Sequence, residues 1–162
     1  MQSEVDFQIV ALPAETFSEM LALSNDELRA RNGRRMVVDH KPGFPCRVSL
    51  EDAEIGEEVI LVDYVHHDAD SPYRSSGPIF VRAKAETAKP AVNEIPEMLQ
   101  FRLLSVRAYS ERGNMRDAGV VEGAELASQI RKFFGDERVA YLHVHNAGPG
   151  CFNCRVERAA AR

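Results

Sequence analysis

The sequence predicts an α+β fold: one domain over residues 1–162, with a mainly antiparallel or mixed sheet and two to three helices. Three observations carry that expectation. Roughly eight short apolar or alternating stretches are separated by Gly, Pro and Asn turns, as strands are. A nearly continuous apolar run at residues 58–65 has the character of a central strand. The helical patterns do not alternate regularly with the strands, as a parallel βαβ sheet would require.

Taken in order, VDFQIVAL alternates as far as Pro13 and reads as a strand. In residues 14–23, Phe17, Met20 and Leu21 fall at helical spacing. Ser24 followed by Glu27 is a capping-box signature for a second short helix through Arg31, ended by Asn32-Gly33. Residues 36–39 and 44–50 read as short strands on either side of the Pro42-Gly43 turn. Residues 44–48 and 152–156 share the pattern Phe-x-Cys-Arg-Val, which in a strand sends Phe, Cys and Val to one face and Arg to the other. Residues 58–65 form the strand buried on both faces, and residues 79–83 follow after the SPYRSSGP turn.

Residues 84–98 contain Pro90 and Pro96 and few large apolar side chains, so they read as irregular and as a mobile loop. Residues 99–109 read as a long strand, turned by Arg112-Gly113-Asn114 into a second arm at 115–121. The clearest helix is 124–134, where Leu126, Ala127, Ile130, Phe133 and Phe134 make one stripe that stops at Gly135. Residues 139–144 and 152–157 close the chain as a hairpin.

Composition excludes several function classes. A chain of 162 residues buries roughly 70% of its unfolded surface and needs no staple. No apolar run approaches the roughly 20 residues of a membrane helix. The opening MQSEVDFQIV lacks the basic and apolar regions of a signal peptide, and three cysteines is an odd count, so the cytoplasm is the expected compartment. A net charge of -5 gives nucleic acid little electrostatic reason to bind. The charge is uneven, with an acidic segment at 51–70 and a basic excess over 71–116, which favours a charged partner or self-association. Neither G-x-S-x-G, G-x-G-x-x-G nor H-E-x-x-H occurs.

Two polar groupings stand out. In HVHNAGPGCFNCRVER, residues 143–158, the apolar sets Leu142/Val144 and Phe152/Cys154/Val156 share a face only if the turn has an odd length, 148–150 or 146–150. His143, His145, Cys151, Asn153, Arg155 and Glu157 then share the other face. Cys151 and Cys154, three apart in an extended strand, point opposite ways, so a zinc site using both is not expected. Neither metal nor cofactor is predicted. The His66-His67-Asp68-Ala69-Asp70 run is a second conceivable ligand cluster, read as a solvated turn. The other grouping is Tyr73-Arg74-Ser75-Ser76-Gly77, two hydroxyls and a guanidinium near a glycine, in the style of an anion cradle.

FPCRVSLEDAEIGEEVILVDY, SPYRSSGPIFVR, LLSVRAYS and YLHVHNAGPGCF, in this order, resemble the bacterial family catalogued as domain of unknown function 1203. The resemblance spans nearly the whole chain and implies a small stand-alone bacterial protein. It supplies no activity, cofactor or catalytic residue. It emphasises residues 73–78, Arg107, Gly150 and Cys151.

The function expected is therefore a pocket for a small anionic ligand, built from Tyr73, Arg74, Ser75, Ser76, Arg107, His143, His145, Cys151 and Arg155. The alternative is a protein-interaction or homodimeric module without a small-molecule site. A cysteine-dependent enzyme, with an imidazole activating Cys151, ranks third.

Overall fold

Alternating burial along the strands sorts them into two antiparallel sheets, seen in a computed structural model that describes residues 4–160. In chain order the elements are β1 (Phe7–Val10), α1 (Ser18–Ala22), α2 (Asn25–Ala30), β2 (Arg34–Val37), β3 (Glu58–His67) and β4 (Ser75–Arg82). They continue with α3 (Glu97–Gln100), β5 (Leu103–Tyr109), β6 (Met115–Glu122), α4 (Leu126–Phe134), β7 (Tyr141–Asn146) and β8 (Phe152–Arg158). Five strands are ordered β1-β8-β7-β5-β6, and three are ordered β2-β3-β4. The fold is α+β. Among the described residues no helix is long and apolar enough to cross a membrane.

One face of the five-stranded sheet packs against α4. Leu104, Val106 and Ala108 of β5, Leu142 and Val144 of β7, and Cys154 and Val156 of β8 meet Leu126, Ile130, Phe133 and Phe134. The smaller sheet has its own core, in which Ile60, Val62, Ile79 and Val81 join Phe17, Leu28, Cys46 and Val48. The opposite face of the large sheet carries polar and aromatic side chains, and the end of β3 reaches over it. That face holds the candidate site.

Several sequence expectations materialise residue for residue. Ser24 accepts from the Glu27 N–H while the Glu27 carboxylate accepts from the Ser24 N–H, the reciprocal capping box of α2. Residues 83–96 are irregular as expected, yet they are tied down by Ala88 N–H to Val48 O (2.8 Å), Ala14 N–H to Thr87 Oγ1 (2.8 Å) and Asn93 N–H to Phe7 O (2.9 Å).

Other segments depart from expectation. Residues 44–50 are a curl with two isolated bridges, because Leu50 adopts a left-handed φ of 53° and donates its N–H back to Cys46 O. The predicted Arg47 on a solvent face is instead buried, 1% exposed. β3 is central in its sheet, but of its apolar residues only Val59, Ile60 and Val62 are fully buried, and Asp63 and Val65 are exposed. β4 begins at Ser75, so part of the predicted SPYRSSGP turn is strand, with His67 paired to Ser75 and Tyr64 to Gly77. Pro78 is tolerated because β4 is an edge strand. Residues 97–100 are helix, where loop was expected up to Met98 and strand from Leu99. Pro96 stands at the N-cap, and the Arg102 guanidinium clamps Met98 O and the Asp52 carboxylate at the helix end.

The β7–β8 hairpin reaches the expected register by a different route. Its tip is four residues, 147–150, closed by Asn146 N–H to Cys151 O (2.9 Å). A shift between Val144 and His145 then pairs Val144 with Cys154 but His145 with Phe152, leaving Asn153 as the extra residue of a bulge. The even turn and the bulge together reproduce the register of an odd turn for residues 141–144. The bulge also rotates Phe152 out of the apolar set and onto the histidine face, which corrects its predicted place in the core.

Candidate functional site

The polar face of the large sheet is built by register. Arg107 of β5 pairs with His143 of β7, which pairs with Arg155 of β8, and Ser105 pairs with His145. Residues directly opposite on one face have Cβ atoms about 4.5–5.5 Å apart, so these side chains are immediate neighbours. Tyr109 and Tyr141 continue the same face one pair further along.

A second irregularity completes the site. β3 and β4 lose register between Tyr64 and His67, so Val65 and His66 are not paired in the ladder. In a regular strand His66 and His67 would point to opposite faces. With the irregularity both approach the sheet. The His66 ring stacks on Phe152 with centroids 5.3 Å apart and stands edge-on to His145 at 4.9 Å, while His67 stacks on Tyr109 at 4.1 Å and meets His143 at 5.1 Å.

The four imidazoles differ in their hydrogen bonds. His67 has both nitrogens engaged, Nδ1 with Tyr73 O (2.8 Å) and Nε2 with the Tyr141 hydroxyl (2.6 Å). A neutral ring donating from Nδ1 and accepting at Nε2 satisfies both contacts, so His67 is a structural strut. His145 donates Nδ1–H to Gly150 O at 3.0 Å, which leaves the lone pair on Nε2. That Nε2 is buried with no partner, and so are His66 Nδ1 and His143 Nδ1. One ring nitrogen from each of His66, His143 and His145 lies within 4.8 Å of the others.

Burial keeps these rings neutral. His143 is pushed down to about 2, by desolvation first and then by the neighbouring histidines. His145 is lowered to about 3 by desolvation, with the Gly150 carbonyl opposing and Arg107 adding to the depression. His66, only partly buried, falls to about 4, with desolvation leading and Arg107 next. Neutral imidazoles that bring one ring nitrogen each within 4.8 Å of one another are a donor set suited to a transition-metal ion.

The predicted site residues separate into three groups. His143, His145 and Arg155 share one face, as the hairpin reading required, and the pairing with β5 adds Arg107 to it. Cys151 does not reach a histidine by hydrogen bond. Its Sγ instead accepts from Arg47 Nη2 (3.2 Å) and Asn146 Nδ2 (3.3 Å). Arg47 also donates Nε–H to Phe152 O (2.7 Å) and binds Pro45 O, stapling the curl of the small sheet to the hairpin. Asn153 likewise turns to Asn146, donating to its Oδ1 at 2.8 Å. Tyr73 meets Tyr109 edge-on at 6.5 Å, while Arg74 is exposed and paired with Asp68. Ser75 and Ser76 lie in β4, so their backbone belongs to a strand rather than to an anion cradle.

Arg155 lies over the Tyr141 ring, 4.1 Å from its centroid, and is paired with Glu157 at 2.9 Å. Arg107 makes a long contact, 3.5 Å, to Ser105 Oγ and lies beside the Tyr109 hydroxyl, and among the described residues it has no carboxylate within ion-pair distance. The residue that sequence reasoning left out of the site is His66. Adjacent histidines at a strand end were visible, but the irregularity that turns both inward was not.

Fold and site define an α+β domain in which the end of a three-stranded sheet closes a cluster of neutral histidines against the polar face of a five-stranded one. The chain belongs to the family described as Protein of unknown function (DUF1203), whose model matches residues 43–158. That span contains every residue of the site. Searches of the curated proteins and of the solved structures gave no match.

Proposed function

We propose that this protein binds a divalent transition-metal ion of the zinc class through His66, His143 and His145. The observation that carries the reading is the set of three buried, unpartnered ring nitrogens on rings whose ligand atoms lie within 4.8 Å of one another. For an equilateral triangle of that edge the centre lies about 2.8 Å from each corner, against about 2.0–2.1 Å for a Zn–N bond. Ring movements of about 0.7 Å would close the site. The alternative arrangement, three orphaned polar atoms beside one another, carries a desolvation penalty of about 1–3 kcal/mol for each.

Several features support the reading further. The Gly150 carbonyl orients His145 as outer partners orient ligating imidazoles elsewhere. The rings need no deprotonation at neutral pH, so proton competition for the ion is weak. Three protein ligands without a fourth correspond to an open site rather than a closed structural one. The cysteines take no part: Cys154 is buried against α4 and Cys151 is engaged by Arg47. The setting we infer is a bacterial cytoplasm, supported by three unbridged cysteines and the family resemblance.

The test is titration of chelator-treated protein with Zn2+ by calorimetry and with Co2+ by visible absorption. One ion per chain is expected, with Co2+ bands typical of low coordination. His66→Ala, His143→Ala and His145→Ala should each weaken binding at least tenfold, whereas Cys151→Ser should not. Absence of saturable binding in a folded, chelator-treated sample would overturn the assignment.

A further inference from the structure

An ion held by three neutral imidazoles brings two positive charges into a site that already faces a third. Arg107 lies opposite His143 in the ladder, diagonal to His145, and near enough to depress both His66 and His145 electrostatically. Arg155 is compensated by Glu157, and Arg47, which also depresses His145, spends its donors on Phe152 O, Pro45 O and Cys151 Sγ. Arg107 reaches Ser105 Oγ at 3.5 Å and lies beside the Tyr109 hydroxyl, both neutral groups, and has no acidic partner among the described residues. Asp63 is the one carboxylate whose influence reaches His66, and it is the weakest of the effects on that ring. It is also exposed, on the far side of the register irregularity.

The geometry also says where a further ligand would enter. His143 and His145 are 2% and 0% exposed, whereas His66 is only partly covered, so a further ligand would have to approach past His66. Ser105 is opposite His145, and its hydroxyl lies beside the Arg107 guanidinium. A metal with a vacant position, a guanidinium without a counter-ion and a hydroxyl on one rim share a single preferred guest. Uncompensated charge in a partly desolvated site is costly, and an oxygen anion relieves it from both sides. A guanidinium fork matches carboxylate and phosphate oxygens in particular.

We infer that the fourth position of the His66/His143/His145 centre takes a small oxyanion, a carboxylate or phosphate group bound at once by the ion and by Arg107. This rests on the metal assignment above and adds to it the ligand class. Tyr73, Arg74, Ser75 and Ser76, expected to cradle the anion, have no part in it.

The experiment is a two-step titration of chelator-treated protein in a buffer free of coordinating anions. Co2+ is added first, then inorganic phosphate or acetate in separate arms, with the visible bands of the bound ion as the signal. Phosphate or acetate should shift the bands saturably, and the stronger arm distinguishes the two oxyanion classes. Arg107→Met should weaken that second step at least tenfold, about what one charged hydrogen bond contributes, while Co2+ binds as tightly as before or more tightly. Arg107→Lys should recover part of the loss. Co2+ bands that form normally but ignore both anions, or an anion affinity unchanged in Arg107→Met, would overturn the oxyanion inference and leave the metal assignment standing. No Co2+ bands at all would defeat the metal assignment itself, and with it this inference.

Discussion

Acidification of the metal-free protein should destabilise it steeply at a pH above that at which carboxylates titrate. In the folded chain His143 and His145 accept protons only at about 2 and about 3, whereas in an unfolded chain they do so near the ordinary value of about 6.5. Their folded values are depressed, so the stability they confer is fully present above about 6.5. It is lost as pH falls from there toward the folded values, because the unfolded state then binds more protons. Each ring costs about 1.36 kcal/mol per pH unit, so the two cost about 2.7 kcal/mol per unit, and about 4 kcal/mol by pH 5. His66, lowered to about 4, adds up to a similar amount above pH 5, reduced because its ring is partly exposed. Against a total of about 5–15 kcal/mol, this is a large fraction. The assay is the urea midpoint at pH 7, 6 and 5 in the presence of chelator. Asp136, held down at about 2 by Arg138, does not titrate in that window. His143→Gln should remove roughly a third to a half of the slope. A midpoint that stays flat from pH 7 to pH 5 would refute the claim that buried, neutral imidazoles fill the site.

Three further outcomes follow from packing. Cys46 and Cys154 are fully buried and burial pushes the Cys154 thiol up to about 12, so both should resist thiol reagents in the native state while the partly exposed Cys151 reacts, as labelling followed by mass spectrometry would show. Arg47→Met keeps much of the volume but strands the Pro45 and Phe152 carbonyls, so denaturant unfolding should show a loss of about 1–3 kcal/mol. Gly123→Ala would place a Cβ 1.9 Å from Leu99 O and 2.7 Å from Gln100 O, backbone atoms that cannot swing away, and should cost at least about 1–3 kcal/mol by the same measurement.

The fold was legible in the sequence wherever one local pattern decided one element. The α4 stripe buries Leu126, Ile130, Phe133 and Phe134, as its spacing required, and the Ser24/Glu27 pair forms its capping box. The pattern misled where a distant partner decided. Residues 44–50 alternate like a strand, yet they curl because Arg47 is drawn inward to the carbonyl of Phe152, more than a hundred positions away. Residues 99–102 are apolar enough for β5, but Pro96 favours a helical turn and Asp52 holds Arg102 beside it. No windowed periodicity contains such contacts.

The site was half legible for the same reason. Strand alternation alone puts His143, His145 and Arg155 on one face, and the ladder adds Arg107, so the large-sheet half follows from period two. The small-sheet half depends on a break in that period. Without the irregularity between Tyr64 and His67, only one of the two adjacent histidines could face the sheet. Without the bulge at Asn153, Phe152 would sit in the core and give the His66 ring nothing to stack upon. Each break leaves backbone unpaired and is tolerated only where the re-aimed side chain gains a contact. His67 gains two hydrogen bonds from its break, which explains its own position in full. His66 gains ring stacking but keeps a buried nitrogen without a partner, as do His143 and His145. The same irregularity therefore satisfies one histidine and leaves its neighbour lacking a ligand, and a metal ion would meet the need of all three unsatisfied rings at once.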